Sequence, residues 1–219
     1  MTESAVHIAS GKSNLEGNLT IPEQARGVVL FAHGSGSSRH SPRNRYVARE
    51  LQRLGLATLL MDLLTADEES EDMRTRRHRF DIGLLAGRLV DAADWLAKNA
   101  ETRHLKLGYF GASTGAGAAL VAAAERPENV AAVVSRGGRP DLAGDALPLV
   151  KAPTLLIVGG DDEPVIGMNH DAARRMRAFH QMVIVPGASH LFEEPGTLEE
   201  VARLAGDFLA AHLGGEASS

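Results

Sequence analysis

The chain has 219 residues, with 23 Lys and Arg against 28 Asp and Glu, a net charge of −5 at pH 7. The mild acidity argues against a nucleic-acid partner, because such domains are usually basic, and 44% apolar residues exclude disorder as the main state. Cysteine is absent, so a disulfide framework, a thiolate nucleophile and a cysteine zinc site are all impossible.

Residues 1–219 read as one domain. Met1 to Gly17 holds neither an apolar core segment nor an early basic cluster, so no signal peptide is expected. The longest apolar stretch, near Leu54–Leu64, is interrupted by Asp62 and falls far short of the roughly 20 residues a membrane helix needs. The expectation is a cytoplasmic protein with no membrane partner.

Two alternating segments, Ala5–Ile8 and Asn14–Ile21, predict a leading antiparallel pair turned by Ser10, Gly11 and Lys12. Short apolar runs follow at Gly27–Ala32, Ala57–Met61, Lys106–Phe110, Val130–Val134, Pro153–Val158 and Met182–Val185. Runs apolar on both faces suit the buried strands of a parallel sheet. Helix-like spacing separates them at Asn44–Leu54, Phe80–Lys98, Thr114–Ala124, Asn169–Phe179 and Leu198–Leu213. The segment Leu64–Arg79 reads as a loop, too short for a lid domain, and Gly214–Ser219 as a frayed tail. The pattern predicts an α/β fold, with a mostly parallel sheet and helices on both faces. Right-handed crossovers then gather the strands' C-terminal ends on one edge, where ligands bind.

Gly111-Ala112-Ser113-Thr114-Gly115 follows a strand and opens a small-residue helix. This is G-x-S-x-G in the strand–turn–helix setting of a nucleophile elbow. The turn forces the serine into strained dihedrals, so its neighbours two positions away must lack side chains. A serine hydroxyl needs a base, and the base an orienting acid. In this setting the order is Ser, then acid, then His. Three acids, Asp161, Asp162 and Glu163, follow the strand Pro153–Val158. Of nine histidines, His190 alone comes last on a loop at the same edge, after Pro186-Gly187-Ala188-Ser189. An oxyanion hole needs two backbone N–H groups. Thr114 supplies one, directly after the nucleophile, and Ser35, in His33-Gly34-Ser35-Gly36, the second. His40, in the loop beyond, is a candidate substrate contact.

Asp67–Asp72 reads as a solvated acidic face answered by Arg74, Arg76, Arg77 and Arg79. Arg39, Arg43, Arg136 and Arg139 follow strands whose ends form the catalytic edge, and are candidates to clamp a substrate carboxylate. No metal-site, P-loop or dinucleotide motif is present in the sequence.

The stretches FAHGSGSS (Phe31–Ser38), GYFGASTGAG (Gly108–Gly117), LLIVGGDDEPV (Leu155–Val165) and VPGASHLFEEPG (Val185–Gly196) resemble the dienelactone hydrolase family of the α/β-hydrolase superfamily. The resemblance spans most of the chain from Gly27 onward. It implies a lidless sheet and hydrolysis of a carboxylic ester or lactone. It also implies that Asp162, three residues after Gly159 and three before Val165, is the acid. The dienelactone-cleaving members use cysteine as nucleophile; with Ser113 in its place, the chain looks more like general carboxylesterases of the same fold.

The reaction expected is acyl transfer by Ser113, His190 and Asp162, with Ser35 and Thr114 holding the oxyanion and with no metal or organic cofactor. Two rivals are a binding module that has lost catalysis and holds a small anion or a partner, and a thioesterase or amidase using the same triad. Nothing in the sequence fixes the oligomeric state.

Overall fold

The computed structural model describes residues 1–214, so the expected tail lies, apart from Gly214, outside the described residues. Two strands, β1 (Thr2–Ser10) and β2 (Ser13–Ile21), form the antiparallel pair. Then β3 (Gly27–Ala32), α1 (Pro42–Arg53), β4 (Leu56–Met61), α2 (Ala66–Thr75), α3 (Ile82–Lys98), β5 (Leu107–Ala112) and α4 (Thr114–Glu125) follow. After β6 (Val130–Arg136) a 3-10 stretch covers Pro140–Leu149, and β7 (Thr154–Gly159), α5 (Glu163–Arg175), β8 (His180–Val185) and α6 (Thr197–Leu213) complete the order.

The strands form one sheet in the order β1-β2-β4-β3-β5-β6-β7-β8. β2 meets β4 antiparallel, and every pair from β4 to β8 is parallel. Strand alternation sends side chains to both faces. On β3, Val28, Leu30 and Ala32 join a core with Leu85 and Leu89 of α3, Leu120 of α4 and Ala172 of α5. Val29 and Phe31 join a second core with Val47 and Leu51 of α1 and Val201, Ala205 and Leu209 of α6. Both faces are therefore covered, as buried parallel strands require.

Three expectations change. Leu64–Arg79 is not a plain loop, because Ala66–Thr75 is helical. Thr65 and Glu68 form a reciprocal capping box at its start, with Glu68 N–H on Thr65 Oγ1 and Thr65 N–H on Glu68. Nor is Asp67–Asp72 wholly a solvated face. Asp72 is buried, accepts the His78 and Arg79 amides at 2.8 and 2.9 Å, and pairs with Arg79 Nε at 2.6 Å. The helix expected over Asn169–Phe179 begins earlier, at Glu163, with Pro164 in its first turn, and ends at Arg175.

Candidate active site

The parallel strands deliver β3, β5, β6 and β7 to one edge, and the loops leaving them meet there. Ser113 sits between β5 and α4 at φ 50° and ψ −123°, a region that costs a non-glycine residue about 1–3 kcal/mol. Sterics explain the flanking residues. A Cβ on Gly111 would stand 2.4 Å from Ala116 Cα, and one on Gly115 2.3 Å from the Ala32 carbonyl oxygen. The small side chains of α4 follow from the same closeness to the sheet. The turn is tied to neighbouring loops: Ser113 N–H donates to the Arg136 carbonyl at 3.3 Å, and Arg139 N–H to the Ser113 carbonyl at 3.0 Å. The Ser113 side chain does not cap its own helix.

Asp162 follows β7, half-buried at the cap of α5, and His190 follows β8. His190 Nδ1–H donates to Asp162 Oδ2 at 2.6 Å, which leaves Nε2 as an acceptor. Neighbouring loops seat the imidazole. A Cβ on Gly137, at φ 51°, would meet the His190 carbonyl oxygen at 2.9 Å, and one on Gly159 the Ala188 carbonyl oxygen at 2.3 Å. Ser189 N–H donates to Glu194 at 3.0 Å, fixing the turn before His190. Ser113 and His190 line one cavity of about 190 Å³ together with Gly34, Ser35, Arg43 and Arg136. Among the described residues no hydrogen bond joins Ser113 Oγ to His190, a contact that in such sites commonly tightens only around substrate. Of the neighbouring acids, Asp161 is exposed and Asp162 makes the imidazole contact.

The loop after β3 closes over the elbow. A Cβ on Gly34 would stand 3.0 Å from Ser113 Cβ. Ser35 Oγ and Thr114 Oγ1 are 3.0 Å apart, so the two candidate oxyanion residues touch. Thr114 is the first residue of α4, where an amide has no partner within the helix. His33 organises the loop. Its Nε2 accepts the Leu63 amide at 2.9 Å, so Nδ1 carries the proton and donates to the Gly34 carbonyl at 2.9 Å. Burial pulls the His33 pKa below its ordinary value, against the opposing pull of the Gly34 carbonyl and Asp62. A second pocket, also lined by Ser35 and Thr114, is walled by Leu63, Leu64, Leu85 and Met73 together with His33, Asp62, Glu69, Asp72 and Arg79.

The four candidate arginines divide. Arg39 lies outside the cavity, bound to Asp62 by its guanidinium and amide, to Glu16 at 2.5 Å and to Asn18 at 3.2 Å. Arg139 pairs side-on with Asp141 at 2.8 and 2.7 Å, a bidentate geometry that occupies its fork. Neither lines the cavity that Ser113 and His190 share, and His40 lines surface clefts elsewhere. Arg43 and Arg136 do line the cavity. Arg136 is buried, donates to Asn44 Oδ1 at 3.1 Å and stands 5.9 Å from the Phe192 ring. Burial, then the charge of Arg43, pull its pKa down to about 10, which leaves it protonated at neutral pH.

Asn44 and Phe192 were not singled out in the sequence. Asn44 looks like an ordinary first-turn polar residue of α1. Phe192 follows the histidine by two positions, but its φ of 56°, costly for a bulky side chain, is visible only in three dimensions.

A family model described as the dienelactone hydrolase family matches residues 15–211. The crystal structure of dienelactone hydrolase from Anabaena variabilis is 67% identical, with a TM-score of 0.95, over 97% of this chain and 98% of that one. Two proteins from strains of Mycobacterium tuberculosis, bearing the provisional name phosphoribosyl transferase, are 58% identical over 100% of this chain and 48% of their own length. The chain thus spans about half the length of the curated relatives it matches. Est1E from Butyrivibrio proteoclasticus shares the fold at 16% identity, with a TM-score of 0.80 over 95% of this chain and 98% of that one. Among the described residues no helix is long and apolar enough to cross a membrane.

Proposed function

The chain belongs to the dienelactone hydrolase family, and from that membership we propose that it is a serine hydrolase that cleaves carboxylic esters or lactones through an acyl-enzyme. The observation that carries the reading is one constellation. A strained Ser113 opens into the same cavity as His190, whose far nitrogen is held by Asp162 at 2.6 Å.

The steps follow from the groups present. Ser113 Oγ attacks the acyl carbon while His190 Nε2 takes its proton. The carbonyl π pair moves onto oxygen, where the Ser35 and Thr114 amides hold the charge. Asp162 keeps the imidazole in the tautomer with Nε2 free and stabilises the imidazolium. Collapse breaks the bond to the leaving alcohol, which receives the proton from His190. Water then attacks the acyl-enzyme by the same route, returning the proton to Ser113 and releasing the acid. In a lactone, acid and alcohol leave as one molecule. No step calls on a metal or organic cofactor.

The name carried by the longer Mycobacterium relatives describes proteins of which this chain matches 48%, and the Ser113 constellation is the ground for the reading here. The test is turnover of a short-chain p-nitrophenyl ester by Ser113→Ala beside the wild type. The variant is expected to fold and to lose nearly all turnover. Turnover retained in a folded variant sinks the reading.

A further inference from the structure

The four residues around the end of β6 meet two members of the triad directly and the third through one side chain. The Arg136 carbonyl accepts the Ser113 amide at 3.3 Å, and the Arg139 amide returns to the Ser113 carbonyl at 3.0 Å. Between them, Gly137 N–H donates to the Ile157 carbonyl of β7 at 2.8 Å. A Cβ on Gly137 would stand 3.7 Å from His190 Cε1, so this residue packs against the imidazole. The Gly138 carbonyl faces α5, where it accepts Asn169 Nδ2–H at 3.1 Å. The same amide nitrogen, which carries two protons, donates to the Val165 carbonyl at 2.8 Å, in the first turn of α5. Asp162 caps that turn, and its carbonyl accepts Ile166 N–H at 3.0 Å. Among the described residues, the Asn169 bond to Gly138 is the one hydrogen bond that joins this loop to α5.

Packing alone does not ask for an amide at this position. Asn169 is fully buried and shares a stripe of α5 with Val165, Ala172 and Met176, a helical spacing that an apolar side chain would continue. Its Oδ1 is buried with no hydrogen-bond partner, and an orphaned acceptor of this kind destabilises a fold. A polar group held where the local pattern calls for Leu marks a role outside packing. On the other side of the loop, a Cβ on Gly138 would overlap Ser135 Oγ and stand 2.7 Å from Ala116 Cβ. The loop is therefore gripped by β6 and α4 on one side and by Asn169 on the other.

We infer that Asn169 is a positioning residue: its amide clamps the loop after β6 to the first turn of α5, and so sets Asp162 against His190 in register with Ser113. This rests on the hydrolase reading above and adds to it a residue that has no hydrogen bond to any triad side chain.

The test is Asn169→Leu, which keeps the shape and removes both donors, made in the wild type and in Asp162→Asn. With p-nitrophenyl butyrate, kcat is expected to fall by roughly 10- to 100-fold, the scale of a misplacement of about 1 Å. KM is expected to stay within about 3-fold, as for a loss felt in the transition state. In Asp162→Asn there is no carboxylate left to set, so the same substitution is expected to change kcat by less than about 3-fold. A merely structural effect would be equal in both backgrounds. The second readout needs no turnover: the His190 Nδ1 proton, shared with Asp162 at 2.6 Å, gives a far-downfield proton NMR signal. That signal is expected to move upfield or broaden in Asn169→Leu and to stay in place in Asp161→Asn. Asn169→Ser, whose hydroxyl turns back to the Val165 carbonyl of its own helix and does not reach Gly138, is expected to show the same losses. It supplies the answer should the Leu variant fail to fold. A folded variant with wild-type kcat and an unmoved signal overturns the inference, as do equal losses with and without the Asp162 carboxylate. A wild type that turns over no ester overturns the hydrolase reading instead, and the NMR signal then decides the clamp by itself.

Discussion

A Cβ on Gly34 would stand 3.0 Å from Ser113 Cβ and 3.2 Å from the Ala112 carbonyl oxygen, so the loop after β3 and the elbow after β5 are in steric contact at this position. The missing side chain lets Ser35 reach Thr114. Gly34→Ala should push the loop off the elbow by a few tenths of an ångström. Overpacking of this kind costs about 1–3 kcal/mol of stability. Displaced donors should lower kcat/KM by roughly 10- to 100-fold. Steady-state kinetics beside a denaturant titration checks both; a folded variant with wild-type kcat/KM would show that the contact does not set the site.

The two adjacent acids after β7 should behave differently. Asp162 touches His190 Nδ1, whereas Asp161 is exposed. Asp162→Asn removes the carboxylate that fixes the tautomer, and kcat should fall by about 10³- to 10⁴-fold. Asp161→Asn should leave kcat within about 3-fold, since nothing at the imidazole changes. Equal losses in the two would contradict the assignment.

His33 links loop geometry to pH. Its folded-state pKa is lowered, chiefly by burial. The unfolded chain therefore binds a proton more readily, and stability rises with pH. The His33 contribution is complete above the unfolded value, near 6.5, and is lost as pH falls below it through the lower folded value. His33→Gln should lack this slope and show lower kcat/KM, because the Gly34 carbonyl loses the ring that turns it. Denaturant midpoints of wild type and variant from about pH 8 to pH 5 read the difference. Parallel curves would exclude His33 as a source of the acid sensitivity.

A second titration lies at more acid pH. Hydrogen bonds from Arg88, foremost, hold Glu68 down at about 2, against an ordinary 4.5. The stabilisation is present above 4.5 and disappears as pH falls toward 2. Glu68→Gln should remove that acid limb and loosen the start of α2, where Glu68 also caps Thr65. Unfolding curves across this range check it. A variant with the wild-type acid limb would assign that limb to another carboxylate.

Much of this arrangement is legible in the sequence, because steric and periodic rules fix it locally. Apolar runs mark β3 to β7, and the G-x-S-x-G glycines are demanded by backbone atoms within 2.9 Å of where a Cβ would be. Chain order together with a place on a loop at the strands' C-terminal edge points to His190. The acid needed the family resemblance, since Asp161 and Asp162 differ by one position and only the second reaches the imidazole. What stayed hidden depends on long-range pairing. Ala66–Thr75 is so acidic that it reads as solvated loop, and its helix shows through a cap and through Arg88, 20 residues on from Glu68. The same holds for the arginines. Arg39 and Arg43 lie four apart in one segment, yet Asp62 captures the first and the second turns into the cavity.

Activation of Ser113 is read by intact-mass spectrometry after incubation with a fluorophosphonate, on wild type and Ser113→Ala. A single adduct is expected on the wild type and none on the variant. An unmodified wild type, or an adduct that persists in Ser113→Ala, would contradict it.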